Sequence, residues 1–200
     1  MPGAPHPDRR ARPAQSPRVG KVQVSSMEAW PAAGGGLLLG MIVPALSGTA
    51  PLRYPIKNLF LRIDGQGQAS VIIPYVRLEP EVLVCAAELI AAELDVSSQR
   101  ITIDNRVAAP DATRTLADLC PVCELGLTLI AAAARSLMKA AAAAAWRVAT
   151  HDCLIERGMV RGLRRQASYA DLAADAALVS LPAVVFLASG RSIKLRSTHG

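Results

Sequence analysis

Four cysteines and three histidines are the side chains whose types and spacing invite chemistry first. Cys120-Pro121-Val122-Cys123 is a C-x-x-C pair, which suits a zinc half-site or a redox dithiol. A structural zinc site needs two further ligands. His151 and Cys153 are the available pair, but a gap of 27 residues separates them from Cys123, and their H-x-C spacing fits no common zinc pattern. The competing reading makes Cys120 and Cys123 ordinary thiols at a helix start. A disulfide becomes possible if the chain is exported. His6 and His199 fall near the chain ends, so only His151, beside Asp152, is placed to join a catalytic group. No Gly-x-Ser-x-Gly elbow is present, and Gly34-Gly35-Gly36 lacks the Lys-Ser/Thr that completes a phosphate loop. No two carboxylates are marked as an acid/base pair. No catalytic, cofactor-binding or metal residue is therefore assigned.

The elements that would position such groups follow from composition. The chain holds 36 alanines against seven aromatics, and 52% of its residues are hydrophobic. Alanine favours helix and buries little surface, so close-packed helices around a modest aliphatic core are expected. An aromatic-lined barrel and a base-stacking platform are excluded. Mean hydropathy is +0.29 and 19% of residues are charged, which excludes disorder along the whole chain. The net charge of +6 is unevenly placed. Residues 1–30 hold five basic and two acidic side chains, and residues 191–200 hold Arg191, Lys194 and Arg196 with no acid. The rest is balanced, so no basic nucleic-acid face is indicated.

Residues 1–31, rich in Pro, Arg and Ser, read as a disordered basic leader. Residues 32–50 contain an apolar run of about fifteen residues, too short and glycine-rich for a stable membrane span. A basic region precedes the run and Ser47-Gly48-Thr49-Ala50 follows it, the order of an export signal. A periplasmic or exported location is expected on that order, and a cytoplasmic one otherwise. Residues 58–188 read as the folded domain, and residues 189–200 as a basic tail.

Within the domain, Leu59-Phe60-Leu61-Arg62-Ile63 and Ala69-Ser70-Val71-Ile72-Ile73 flank Asp64-Gly65-Gln66-Gly67-Gln68, a hairpin signature. Pro80 opens a helix whose apolar stripe is Val82, Cys85, Ala86, Leu89 and Ile90. A short strand, Ile101–Ile103, follows, and residues 104–118 read as a loop. Helical spacing over Ile130, Ala134, Leu137, Met138, Ala141 and Ala145 predicts a long helix from about Glu124 to Arg147. Cys153–Ile155 and Met159-Val160 around Glu156-Arg157-Gly158 form a second hairpin. Ser168-Tyr169-Ala170-Asp171 is a capping box with Asp in the place of Glu. The fold class is α+β: β-hairpins and short strands packed against two main helices, one long and alanine-rich.

From Leu59 onward the chain resembles the N-terminal part of a molybdopterin-binding large subunit. The family is the xanthine dehydrogenase/aldehyde oxidase group, in its isoquinoline 1-oxidoreductase beta-subunit branch. Phe60–Asp64 with Val71–Val76 is similar to that family's first hairpin, and Ala92–Val96 to the end of its next helix. Ala134-Arg135-Ser136-Leu137-Met138 and the alanines up to Trp146 resemble its long helix. Asp152-Cys153 onward and Ser168–Ala173 are similar to its following hairpin and helix. Gly34–Gly40 resembles the export signal of such subunits, without an adjacent twin arginine. The resemblance covers roughly residues 32–180. It implies relatives that hydroxylate an aldehyde or N-heterocycle, using a molybdenum–cytosine dinucleotide and a small iron–sulfur partner subunit.

The family's cofactor contacts are absent from the matching positions. Where the family has Glu-Met-Gly-Gln-Gly, this chain has Arg77-Leu78-Glu79-Pro80-Glu81. Where the family has Gly-Gly-Ser-x-Ser, it has Thr115-Leu116-Ala117-Asp118-Leu119. Glycine lets a backbone approach a pyrophosphate, whereas Glu79, Glu81 and Asp118 repel it. The region that holds the family's catalytic glutamate is missing, and no cofactor is expected on this chain. The expectation is a truncated or degenerate large-subunit relative, inactive as a single chain. The alternative is a non-catalytic binding or assembly module, with or without a C-x-x-C metal or thiol site.

Overall fold

The computed structural model describes residues 26–42, 59–73, 77–104, 113–114 and 116–195. Its largest sheet has five strands: β1 (Ser26–Pro31), β2 (Gly36–Ile42), β3 (Leu59–Asp64), β4 (Ala69–Ile72) and, after an intervening helix, Ile101–Asp104. β1 to β4 run antiparallel in chain order. The expected first hairpin is β3–β4. Its turn is closed by Asp64, whose carboxylate accepts the backbone N–H groups of Gln66 and Gln68.

Two strands lie where the sequence suggested none. Ser26–Pro31 falls in the expected disordered leader, and Gly36–Ile42 in the expected signal-like segment. The folded part therefore begins at or before Ser26, rather than near Asn58. Residues 1–25 and 43–58 lie outside the described residues. The apolar run is explained by the pleat. Leu37, Leu39 and Met41 point to the core and face Ile63, Leu61 and Leu59 of β3. Leu38 and Gly40 point the other way, onto a face that also carries Trp30, Phe60 and Ile72. Apolar demand on both faces turns an alternating strand into a continuous apolar run. Gly40 is required there because a Cβ would lie 2.8 Å from the Trp30 ring and 3.1 Å from Phe60.

After β5 (Arg77–Leu78), α1 (Pro80–Leu94) begins with Pro at its first position, where the missing N–H costs nothing. Val82, Ala86, Ile90, Ala91 and Leu94 are buried, and Glu93 is buried with them. Cys85, expected in the apolar stripe, is exposed. α1 ends in left-handed Asp95, and its crossover lets β6 (Ile101–Asp104) pair parallel with β4. β7 (Thr113–Arg114) pairs with β5. α2 (Leu116–Trp146) starts eight residues earlier than expected, inside the predicted loop. Ala131 to Ala134 and Ala141 to Ala143 are all buried, which lets α2 approach β2, β3, α1 and the last helix closely.

The chain then forms a meander of β8 (Leu154–Glu156), β9 (Met159–Gly162) and β10 (Arg165–Ser168). The β8–β9 turn, Arg157-Gly158, has φ of 52° and 74°, the two positive values of a tight hairpin turn. β10 was not expected. Ser168 caps α3 (Tyr169–Ala176) with both hydrogen bonds of the capping box, as expected. β11 (Val184–Phe186) and β12 (Ser192–Lys194) form a terminal hairpin, so the expected basic tail contains a strand. The core is the helix-facing side of the large sheet, where each fully buried Leu or Ile contributes roughly 1.5–3 kcal/mol. The fold is α+β. One stretch, Leu125–Trp146 of α2, is long and apolar enough to cross a membrane among the described residues, and it is mostly buried as a core helix.

Candidate functional site

The described residues contain no group of three or more His, Cys, Asp or Glu able to hold a metal. His151 and Cys153 do not converge. The His151 side chain is exposed with its Nε2 3.5 Å from Asp152 Oδ1, whereas Cys153 is wholly buried. Burial pushes the Cys153 thiol above its ordinary value, opposed by the charge of Lys139. Such a thiol is inert rather than nucleophilic. The side chains of Cys120, Cys123 and Asp118 lie outside the described residues.

Glu79 and Glu81 both stand at the N-terminus of α1. Glu79 is the N-cap residue in extended conformation, its carboxylate making no capping bond, and Glu81 is in the first turn. Both are exposed. A helix N-terminus attracts anions through its free N–H groups and dipole. Here Pro80 removes one N–H, and two carboxylates already supply the negative charge. The residues present do not fit an anionic pyrophosphate.

A second feature has no counterpart in the sequence reading. Between α2, the turn Thr150–Asp152, β8 and β11 lies a half-open cleft of about 740 Å³. Leu154, Ile155, Pro182, Val184 and Phe186 give it apolar walls. Arg135, Lys139 and His151 reach it, and among the described residues no carboxylate lines it. The cleft was illegible because its residues come from three separated stretches, 135–140, 150–155 and 180–186.

The wall formed by β11 is held from below. Glu93 on α1 accepts the backbone N–H of Ala188 at 2.8 and 3.0 Å and pairs with Arg135 of α2 at 3.0 Å. The Arg135 guanidinium also donates to the carbonyl oxygen of Phe186 at 2.8 Å. Burial raises the Glu93 carboxyl above its ordinary range, opposed by the Ala188 N–H and by Arg135. A second buried link has the Tyr169 hydroxyl donating to the carbonyl oxygen of Leu94 at 2.8 Å. Sequence reasoning placed Glu93 within a helix end and missed its role. A charged residue three positions after buried Ile90, next to buried Leu94, was the available signal.

No family model matches the chain, and no curated protein matches it. Solved structures do. The chain is similar to quinoline 2-oxidoreductase from Pseudomonas putida 86, with 18% identity over 68% of this chain and 19% of that one, at a TM-score of 0.47. It is similar to Cu,Mo-CO dehydrogenase in its carbon monoxide reduced state, with 14% identity over 73% of this chain and 19% of that one, at a TM-score of 0.52. The chain spans about a fifth of the length of these structures. At such identities the second match establishes a likeness of fold.

Proposed function

We propose that this chain is a truncated or degenerate relative of molybdenum hydroxylase large subunits, without oxidoreductase activity as a single chain. The shared fold with part of Cu,Mo-CO dehydrogenase supports the kinship. So does the order of elements, since a hairpin, a helix, a long alanine-rich helix, a second hairpin and a capped helix follow one another in the order of the sequence resemblance. The observation that carries the loss of activity is the N-terminus of α1, where Glu79, Pro80 and Glu81 replace the residues that approach a pyrophosphate cofactor in the family.

The test is elemental analysis of the full chain purified from cells supplied with molybdenum and making the cofactor. Molybdenum far below one atom per chain is expected. One atom per chain, retained through gel filtration, would overturn the reading. The DNA downstream supplies an independent test, because a truncated relative predicts that it encodes the rest of the subunit.

A binding role needs no cofactor, and the cleft beside α2 favours it as a second reading. The iron–sulfur partner and the export of intact relatives remain proposals of kinship. On the export proposal, cleavage after Ala50 would remove β1 and β2, so the apolar segment is expected to stay with the folded chain.

A further inference from the structure

We propose that the cleft between α2 and the terminal hairpin binds a small apolar molecule carrying one anionic group, with a carboxylate seated on Lys139. Three observations converge on this class. The first is size and shape. A volume of about 740 Å³ falls in the range of small-molecule sites, and the cleft walls are mostly apolar with a few polar groups at one side.

The second is exposure. The described residues include seven exposed large apolar side chains, and three of them line this one cleft: Leu154 at 67%, Phe186 at 61% and Val184 at 39%. Exposed apolar side chains scattered singly need no explanation, but three around one concavity mark a binding surface.

The third is charge. Of the three basic groups, Arg135 is neutralised by Glu93 and held to Phe186, and His151 lies beside Asp152. Lys139 has no carboxylate partner among the described residues. Among the described residues its ammonium therefore has no carboxylate counter-ion, and none of those that line the apolar cleft is acidic. Thr150 and Ser180 supply hydroxyls on the same surface. An amphiphile satisfies both halves at once: its chain covers Leu154, Val184 and Phe186, and its carboxylate accepts from Lys139. A neutral ligand leaves Lys139 unpaired, and a cationic one is repelled.

The probes are decanoate, decanol and decyltrimethylammonium, titrated below their micelle concentrations into the full chain and read by calorimetry and melting temperature. Decanoate is expected to bind about tenfold more tightly than decanol, the weight of one charge-assisted hydrogen bond. Decyltrimethylammonium should bind most weakly. Lys139→Met should bring decanoate to the level of decanol and leave decanol unchanged, while Phe186→Ala weakens both. Lys139 is half-buried, so both variants are first checked for a wild-type melting profile, with Lys139→Gln as the substitute. Equal affinity for the three probes, binding indifferent to Lys139, or no binding at all would each overturn the proposal. So would a concentration-dependent dimer abolished by Phe186→Ala, which would assign the cleft to a second copy of the chain. None of these outcomes touches the molybdenum test, which reads metal retained by the chain and not occupancy of this cleft.

Discussion

Tyr169 puts a hydroxyl in the core and satisfies it on the last turn of α1, at the carbonyl oxygen of Leu94. Burial keeps the phenol protonated well beyond the ordinary tyrosine range, so it donates at every pH of interest. Tyr169→Phe keeps the ring and removes the bond, and is expected to lower unfolding free energy by about 1–2 kcal/mol in a urea titration. Glu93 shows the opposite balance. Its pKa is raised in the folded state, so its contribution to stability is full below the ordinary value of 4.5 and is lost as pH rises through the raised value. The melting temperature of the wild type relative to Glu93→Gln should therefore fall as pH rises from 4 towards neutrality. A constant difference across that range would contradict the shift. Arg135→Met strands the Glu93 charge in the core and should cost about 3 kcal/mol at pH 7, most of it recovered by adding Glu93→Gln.

At the scale of elements, legibility followed local chemistry. The β3–β4 turn, the Pro start of α1, and the Ser168 box of α3 each carry their signal in a few adjacent residues, and all three form as expected. Ser168→Ala removes the cap and should cost about 1 kcal/mol by denaturant titration. The strands that escaped notice lack such signals. β2 was masked because its second face is apolar too, which hid the alternation of Leu37, Leu39 and Met41. β12 is three residues long in a basic stretch, so composition outweighed pattern. Gly36 offers the sharpest test of β2. Its φ is +110°, and a Cβ would overlap the backbone carbonyl oxygen of Ile63. Gly36→Ala cannot relieve that overlap by moving a side chain. It is expected to lose the cooperative melt seen by circular dichroism, whereas Gly65→Ala, with open space around it and no left-handed φ, should keep it.

For the whole molecule, the correction at the N-terminus changes which piece should fold. A chain beginning at Pro51 lacks the strand that pairs with β3 and uncovers Leu61 and Ile63, both fully buried. It is expected to aggregate or to melt without cooperativity, while a chain beginning at Val22 should melt like the full sequence. A cooperative transition from residues 51–200 alone would show β2 to be dispensable. The candidate site divides in the same way. The residues at the N-terminus of α1 were legible because they stand together in sequence. The cleft was not, since Lys139, Leu154 and Phe186 meet only after α2, β8 and β11 are placed.

The link from Glu93 to Ala188 joins positions 95 residues apart and anchors a hairpin of only two three-residue strands. Such a hairpin can detach while the five-stranded sheet stays intact, because its anchors are few: Val185, Leu187 and Leu195 in the core, Ile193 packed against it, and the Arg135 bond to Phe186. Its amide protons should therefore exchange with solvent long before those of β3. A protease able to cut near Pro182 should then nick the chain at a pace set by release of this hairpin and not by global unfolding. The clasp also gives the apolar cleft a lifetime, since every detachment takes away the wall formed by Val184 and Phe186.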